Sequence, residues 1–243
     1  MNIKVDHDYT KFMDIHELEI GQVEHAHIDF TENLEQFLNG LQVAPTRSAY
    51  VAQKLWDRMT EPHRHYHTPL HVLGMFCCAN EMNIELGDVE QLAIWFHDAI
   101  YHPPAPAGLN EHESAKLLAR MTYDLNLPKE LIDGAVDAIE CTSRYLDEDV
   151  PPQFKVIMDL DLSNLSAPPG VFQRTGAAVA REYTGLSQRE MLIRNVAFFT
   201  TLLDRPAIYR SSQFADREQI ARKQVQSEMD RLSEILRNLS FVS

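Results

Sequence analysis

The stretch HRHYHTPLHVL, residues 63–73, both starts a helix and concentrates histidine. Thr68 can accept a hydrogen bond from a free N–H group at a helix start, and Pro69 suits the first helical position because its missing N–H would be unpaired there. Apolar residues follow, so the stretch predicts a helix from Thr68 to about Leu86, with His71 one turn into it. The imidazoles of this stretch predict either a metal site or a solvated, histidine-rich loop.

The rest of the chain is also patterned as helices. Residues 48–59, SAYVAQKLWDRM, place their apolar side chains at helical spacing. Residues 89–100, VEQLAIWFHDAI, are apolar on most sides and predict a central helix. About nine helices and no convincing strand predict the all-α class. Residues 1–28 are polar and weakly periodic and are predicted to be an N-terminal extension, whereas residues 29–243 are predicted to form a single helical domain.

The composition limits the classes of partner. A formal net charge of −14 over 243 residues repels phosphate backbones, which excludes nucleic acid as a general partner. No run approaches about 18 apolar residues, and the N-terminus lacks the apolar core of a signal peptide, so neither a membrane span nor secretion is expected. Cys77, Cys78 and Cys141 are odd in number and include an adjacent pair, which predicts reduced thiols in a cytoplasmic protein. The sequence does not determine the oligomeric state.

Metal-ligating side chains occur at three places inside apolar helical segments. These are His71, the adjacent pair His97 and Asp98, and one of the two aspartates Asp159 and Asp161. Imidazole nitrogens and carboxylate oxygens bind divalent transition metals when they converge on one point. Positions 159 and 161 of one helix face about 200° apart, so only one of these aspartates can serve. From the residues alone, a metal site and a structural set of helix-end carboxylates and core histidines are equally open.

Taken together, YHTPLHV, FHDAIY and DLDLSNL resemble the HD superfamily of metal-dependent phosphohydrolases. The pattern of that superfamily is H…HD…D, with each part on a different helix. Over roughly residues 45–235, the series EPHRHYHTPLHV, AIWFHDAIYHP, NEHESA, DLDLSNL and RPAIY is similar to a bacterial family described as predicted metal-dependent HD phosphohydrolases. The resemblance implies an HD-domain helical bundle with a metal site between helices. It also implies hydrolysis of a phosphate ester or anhydride in a small phosphorylated molecule such as a nucleotide.

The resemblance assigns the metal ligands position by position. His71 corresponds to the first ligand, and His97 and Asp98 correspond to the HD pair. The stretch LDLSNL resembles ADRLHN in the HD hydrolases that cleave ppGpp and TDMS in phosphodiesterases, and both comparisons select Asp161 over Asp159. This donor set accepts Mn, Fe, Co, Ni or Mg and does not choose between these divalent ions.

Three residues are candidates for the catalytic steps. His67 resembles the acid in the YH-x-x-x-H stretch of cyclic nucleotide phosphodiesterases, and an imidazole titrates near neutral pH, so His67 can protonate a leaving oxygen. Asp98 or Glu111 can guide the proton of an attacking water. Glu111 is also compatible with a structural carboxylate that the dipole favours at a helix start.

Four further residues are candidate substrate contacts. Arg64, in the RHYH stretch, can bind phosphate or form a structural salt bridge. Asn110 precedes Glu111 in an NE motif, which the resemblance implies lies over the metal. Arg205 and Tyr209 belong to RPAIY, where a cation or a hydroxyl can hold a substrate phosphate, although such residues are more often part of a helix surface.

Other functions stay open. Some HD proteins hold two irons and activate oxygen, which requires extra histidines. His102 and His112 are candidates for these, with surface positions favoured for both. A non-catalytic sensor could keep the metal shell as a nucleotide-binding pocket. A plain helical interaction protein would bind no metal.

Overall fold

Helix is the regular secondary structure of the residues that the structure describes. A computed structural model describes residues 3, 5, 7–11, 14–145, 147 and 149–239. Within these residues there are ten α-helices and no β-strand, which confirms the predicted all-α class. No helix in this part of the chain is both long and apolar enough to cross a membrane. The helices are α1 (Ile20–Gly40), α2 (Pro45–Met59), α3 (Pro69–Glu81), α4 (Asp88–Phe96), α5 (Leu109–Thr122), α6 (Lys129–Thr142), α7 (Lys155–Asp161), α8 (Pro169–Glu182), α9 (Gln188–Asp204) and α10 (Glu218–Leu239).

Helix α1 begins before the predicted domain boundary at residue 29. It starts at Ile20, where the N–H of Glu19 donates to the side chain of Gln22 at 2.9 Å. Its buried apolar residues recur every four positions and pack against α2: Ala26, Phe30, Leu34 and Leu38. Only Ala26 lies before residue 29, so the apolar spacing of a helix is not visible in the sequence of residues 20–28. Residues 20–28 are therefore part of a packed helix.

Helix α3 is buried on almost every side. Ten of its thirteen residues are buried, as expected for a helix at the centre of a bundle. It ends at Glu81 and not near Leu86, because Asn83 adopts a left-handed conformation with φ 52°. The N–H of Ile84 then bonds back to the carbonyl of Ala79 at 2.8 Å and closes the helix end.

The prediction of a helix through Ile100 is wrong, because α4 ends at Phe96. His97 and Asp98 lie in the turn that follows. The guanidinium of Arg64 donates to the carbonyls of Asp98 and of the next residue at 2.7 and 3.0 Å, so a side chain takes the place of a further helical turn. The prolines that follow in HPPAP have no N–H groups to continue the helix.

Three helix ends meet in the interior of the fold. The start of α3 lies beside the end of α4, and α3 also contacts α7. Helix α7 is short, but Ile157, Met158 and Leu160 are fully or almost fully buried and anchor it in the hydrophobic core. Side chains at these three ends can therefore reach a common point from different directions.

Candidate metal centre

Two histidines and two aspartates turn their donor atoms towards one another. The Nε2 atoms of His71 and His97 are 3.2 Å apart. Asp161 Oδ1 lies 2.9 Å from His71 Nε2 and 3.7 Å from His97 Nε2. Asp98 Oδ2 lies 2.9 Å from His97 Nε2 and 3.6 Å from His71 Nε2. These four buried residues, called the inner cluster, could hold a metal ion.

Each part of the inner cluster is placed by the end of a helix. His71 lies in the first turn of α3, where its N–H bonds to the carbonyl of Thr68 at 3.1 Å. The N–H of His97 closes the last turn of α4 on the carbonyl of Ala93 at 2.9 Å. Asp161 is the last residue of α7. Because the three helices approach from different sides, their ligand candidates surround a point rather than lining one surface.

Neighbouring groups orient two of the ligand candidates. His97 Nδ1 donates to the carbonyl of Ile94 at 2.9 Å, which leaves the lone pair of Nε2 for the inner cluster. The hydroxyl of Tyr145 donates to Asp161 Oδ2 at 2.5 Å, which leaves Oδ1 facing the histidines. Bonds of this kind fix the tautomer and the rotamer of metal ligands.

The two carboxylates give the inner cluster a strong negative field. Burial by itself raises the pKa of Asp161, but hydrogen bonds and charge from His71 and His97 hold that pKa well below its ordinary value. Burial by itself lowers the pKa of His97, but the charges of Asp98 and Asp161 raise that pKa well above its ordinary value. A proton on His97 therefore offsets part of the carboxylate charge, and a divalent cation would offset more of it.

The separations within the inner cluster fit one divalent cation. Metal–nitrogen and metal–oxygen bonds are about 2.0–2.2 Å long, so neighbouring donors on one ion lie roughly 3 Å apart. The donor separations quoted above run from 2.9 to 3.7 Å. The side chain of Asp98 is 11 % exposed, so the inner cluster is not sealed from solvent.

The structure brings Asp161, and not Asp159, into the inner cluster. The carboxylate of Asp159 faces the segment before α10 and accepts the N–H of Arg210 at 2.8 and 3.0 Å and the N–H of Ser211 at 2.7 Å. It therefore holds that segment in place. The opposite orientations of the two aspartates follow from their spacing of two positions on one helix.

A carboxylate that the sequence motifs do not single out holds His67. Glu182, the last residue of α8, places Oε2 2.6 Å from His67 Nδ1. Its Oε1 accepts the N–H groups of His65, Tyr66 and His67 at 2.8, 2.8 and 2.9 Å. Nothing in the stretch AREYTG identifies this role, because a charged residue at a helix end usually faces solvent.

His67 lies beside the inner cluster. Its ring centroid is 5.9 Å from that of His71, and the ring of Tyr101 stacks on it with centroids 3.8 Å apart. Burial by itself lowers the pKa of His67, but the charges of Glu182 and Asp98 raise it above its ordinary value. With Nδ1 bonded to Glu182, the second ring nitrogen, Nε2, is left for other partners.

Arg64 has the partners of a structural cation, one of the two roles that the sequence left open. Its side chain is fully buried. The guanidinium donates to the carbonyls of His67, Asp98 and Ala99 at 2.9, 2.7 and 3.0 Å. Its Nε also lies 3.4 Å from Glu61 Oε2. Arg64 thus ties the segment before α3 to the turn that carries Asp98.

Asn110 and Glu111 lie in the first turn of α5. Asn110 Oδ1 accepts the N–H of His102 at 3.1 Å and so holds the proline-rich loop against the helix. Glu111 is half-buried. Burial raises its pKa, and the charges of Asp98 and Asp161 raise it further. Glu111 therefore lies within electrostatic reach of the inner cluster, whereas Asn110 is engaged by the loop.

Arg205 and Tyr209 have structural partners and do not join the inner cluster. Arg205 Nη1 donates to the carbonyl of Tyr145 at 2.7 Å. The hydroxyl of the buried Tyr209 donates to Ser166 Oγ at 2.9 Å. These bonds fasten the RPAIY stretch to the segments on either side of α7. The structure therefore gives no support to a direct contact of these two residues with a phosphate at the inner cluster.

The other histidines of the motifs also lie outside the inner cluster. His63 Nε2 is 2.7 Å from the carbonyl of Tyr101. His102 is exposed, and so is His112, whose Nδ1 is 2.6 Å from Glu140 Oε1. The surface positions favoured for His102 and His112 are thus observed.

A second set of candidate donors lies nearer the surface. Asp14, His16 and His65 place ligand atoms within 4.8 Å of one another and are called the outer group. Asp14 Oδ2 is 2.9 Å from His65 Nδ1 and 2.8 Å from Nη2 of Arg181. His16 Nε2 is 3.1 Å from the carbonyl of Arg64. Every member of the outer group therefore already has a protein partner.

Comparisons with known proteins do not identify the chain. No protein-family model matches it, and a search of curated proteins finds no significant match. The resemblance to HD phosphohydrolases accordingly stays a prediction. Function has to be inferred from the residues of the site.

Proposed function

We propose that this protein is a metal-dependent phosphohydrolase of the HD type, which hydrolyses a phosphate ester or anhydride in a small phosphorylated molecule. The observation that carries the proposal is the inner cluster itself, in which two imidazoles and two carboxylates from three helix ends face one point. A third imidazole, that of His67, is fixed beside it by a buried carboxylate. Ligands and a candidate proton donor thus occur together.

The chemistry of the donors favours a cation at this position. His71, His97, Asp98 and Asp161 would hold one divalent ion. When bound there, such an ion lowers the pKa of a coordinated water and polarises a phosphoryl oxygen. Two carboxylates would otherwise repel a phosphate, and the nearby guanidinium of Arg64 is turned into the protein, so a bound cation is the group that could attract this anion.

His67 is proposed to give a proton to the leaving oxygen. Glu182 holds Nδ1, so the proton available for transfer is the one on Nε2. Tyr101 stacks against the ring and limits its rotation. Glu182 does not contact the reacting atoms in this scheme and is a positioning residue, because its two oxygens fix both the ring and the backbone that carries it.

Asp98 and Glu111 are proposed to guide the proton of the attacking water. Asp98 retains some exposure at the inner cluster, so a water can approach its carboxylate. The pKa of Glu111 is raised by burial and by the charges of Asp98 and Asp161, which makes this carboxylate a better proton acceptor than an ordinary glutamate.

Release of phosphate tests the proposal directly. The chelator-stripped protein is assayed with a panel of nucleotides and phosphoesters after restoring Mn, Mg, Co, Ni or Fe. We expect turnover that requires metal and is lost in Asp98→Ala. The matched control is Asp137→Ala, which removes an exposed aspartate from α6 and should leave turnover unchanged.

Two outcomes would overturn the proposal in favour of another function. Metal bound at the inner cluster without turnover of any phosphorylated compound would favour a non-catalytic sensor. Oxygen consumption with two irons per chain would favour an oxygenase.

A further inference from the structure

A cavity of about 480 Å³ adjoins the inner cluster. His71 belongs to both, because it lines the cavity and supplies a donor to the cluster. Much of the remaining wall is apolar and includes Tyr66, Leu70, Met75 and Val171. A volume of this size lies within the range of roughly 300–1,000 Å³ that is typical of small-molecule sites.

The cavity has a solvent side and a buried end. Two ion pairs lie on the solvent side, Lys11 with Asp8 at 2.6 Å and Arg217 with Glu81 at 3.8 Å, and the exposed fractions of these four side chains run from 28 to 71 %. The other end is formed by buried side chains that include His71. A molecule that enters past the ion pairs would therefore point its inner end towards the inner cluster.

Gly74 leaves space in the cavity that a larger side chain would fill. It lies in the middle of α3, where a glycine destabilises a helix relative to alanine. A Cβ atom built on Gly74 meets no heavy atom within 4 Å, so close packing does not require a glycine there. Gly74 lines the cavity, and a larger side chain at this position would project into its volume.

We propose that this cavity binds the apolar, uncharged part of a phosphomonoester, whose single phosphate is held at the inner cluster. This inference rests on the proposed function and adds the class of substrate. Among the residues that the structure describes, the two cations of the wall, Lys11 and Arg217, are paired with carboxylates, so this part of the chain offers the cavity no unpaired positive charge for a second phosphate. The apolar wall instead favours a ring or a short hydrocarbon group.

A polar contact is also available to the bound group. Asn164, from the turn that follows α7, lines the cavity and is half-buried. Its amide can donate and accept a hydrogen bond. The preferred group is therefore mainly apolar and can carry a polar atom at this side.

Binding of two probes tests the inference without requiring turnover. The affinities of 1-naphthyl phosphate and inorganic phosphate are measured by calorimetry on the Mn-loaded protein. In the wild type, 1-naphthyl phosphate should bind at least tenfold more tightly than inorganic phosphate. Gly74→Leu should remove most of this preference while leaving the affinity for inorganic phosphate within about threefold, and Gly74→Ala should have an intermediate effect.

The control is Gly176→Leu, which replaces an exposed glycine of α8 whose added Cβ also meets no atom within 4 Å. It should leave both affinities unchanged. Circular dichroism and the retained affinity for inorganic phosphate show that Gly74→Leu is folded; if it is not, Gly74→Ala carries the test. Equal affinity for the two probes in the wild type, or an unchanged preference in the Gly74 variants, would overturn the cavity proposal.

The two proposals fail in distinguishable ways. If the preference for 1-naphthyl phosphate depends on Gly74 but no phosphoester is hydrolysed, the cavity inference stands and the phosphohydrolase is rejected. If phosphoesters are hydrolysed but Gly74→Leu does not change the ratio of kcat/KM between 1-naphthyl phosphate and glycerol phosphate, the cavity inference alone is rejected. The expected change in this ratio is at least tenfold.

Discussion

The inner cluster and the outer group contain the same types of side chain, but their donor atoms have different partners. In the inner cluster, the donors of His71 and Asp161 face each other at 2.9 Å. Neighbouring groups bond to two of the atoms that point away, His97 Nδ1 and Asp161 Oδ2. In the outer group, Asp14 already accepts from His65 and pairs with the cation of Arg181. Proximity of histidine and aspartate is therefore insufficient for a metal site. The donor atoms of the inner cluster meet one another, whereas Asp14 and His16 of the outer group are also held by groups outside it.

The inner cluster and the outer group also differ in burial and in the charges around them. All four residues of the inner cluster are buried, so their charges interact with little screening by solvent. His16 of the outer group is exposed, and Arg181 supplies a positive charge at the carboxylate of Asp14. A divalent cation would have to displace that arginine. The inner cluster is therefore expected to bind metal and the outer group is not.

The largest effect is expected from the two aspartates of α7. Asp161→Asn removes one anionic donor and should weaken Mn²⁺ binding on the order of 10³-fold, more than the 10–100-fold typical of an outer-shell loss. Asp159→Asn should change the affinity less than threefold, because that carboxylate bonds to the backbone of Arg210 and Ser211. Isothermal titration of both variants measures the difference. Equal losses in the two would contradict the assignment of Asp161.

The next effect concerns stability in acid. Burial by itself raises the pKa of Glu182, but the charge of His67 and the hydrogen bonds from His67 and Tyr66 lower it to about 2 from an ordinary value of 4.5. Because the pKa is lower in the folded state, the stabilisation is present above pH 4.5 and is lost as the pH falls towards 2. A shift of this size corresponds to roughly 3 kcal/mol.

Urea unfolding from pH 7 to pH 2.5 measures this linkage against Glu182→Gln. The wild type should be the more stable protein at pH 7, and the gap between the two should shrink as the pH falls. If the difference in the free energy of unfolding between the two proteins stays constant over this pH range, the charge of Glu182 does not stabilise the folded state as proposed.

A smaller effect is expected on turnover. Glu182→Gln removes the charge that fixes His67, so kcat should fall about 10–100-fold, part of the 10²–10⁴-fold that general acid catalysis contributes. Mn²⁺ affinity should stay within threefold, because Glu182 does not belong to the inner cluster. The fall of kcat at high pH, which reports loss of the proton on His67, should also disappear or move to another pH. A fall in metal affinity as large as the fall in kcat would indicate a structural role only.

The smallest effect is expected in the outer group. His16→Ala should leave the stoichiometry and the affinity of Mn²⁺ unchanged and should lower the free energy of unfolding by less than about 1 kcal/mol, since the side chain is exposed. Mn²⁺ titration and urea unfolding check both values. A loss of one bound ion in His16→Ala would show that the outer group, too, is a metal site.

The helices were largely predictable because their apolar periods are local. The start of α3 at Pro69 follows from the sequence, and the donors His71, His97 and Asp98 stand out in apolar surroundings. The beginning of α1 was not predictable, because only Ala26 marks its buried face before residue 29. The choice of Asp161 over Asp159 required the family resemblance in addition to helical spacing.

Contacts between distant parts of the chain were not predictable. Glu182 reaches His67 across 115 positions, and nothing local distinguishes it from a solvated helix-end carboxylate. Tyr145 and Asp161 are joined by a hydroxyl whose direction depends on the packing of α6 against α7. For Arg64 a phosphate contact and a structural salt bridge stayed open, because its charge is visible in the sequence whereas the buried carbonyls that it binds are not.

The central claim is tested most directly by titrating the chelator-stripped protein with Mn²⁺. The electron paramagnetic resonance signal of free Mn²⁺ measures how much ion stays unbound. We predict one tightly bound ion per chain in the wild type and in His16→Ala, and no tightly bound ion in Asp98→Ala. The absence of a tight site in the wild type, or equally tight binding in Asp98→Ala, would contradict the claim that the inner cluster holds the metal.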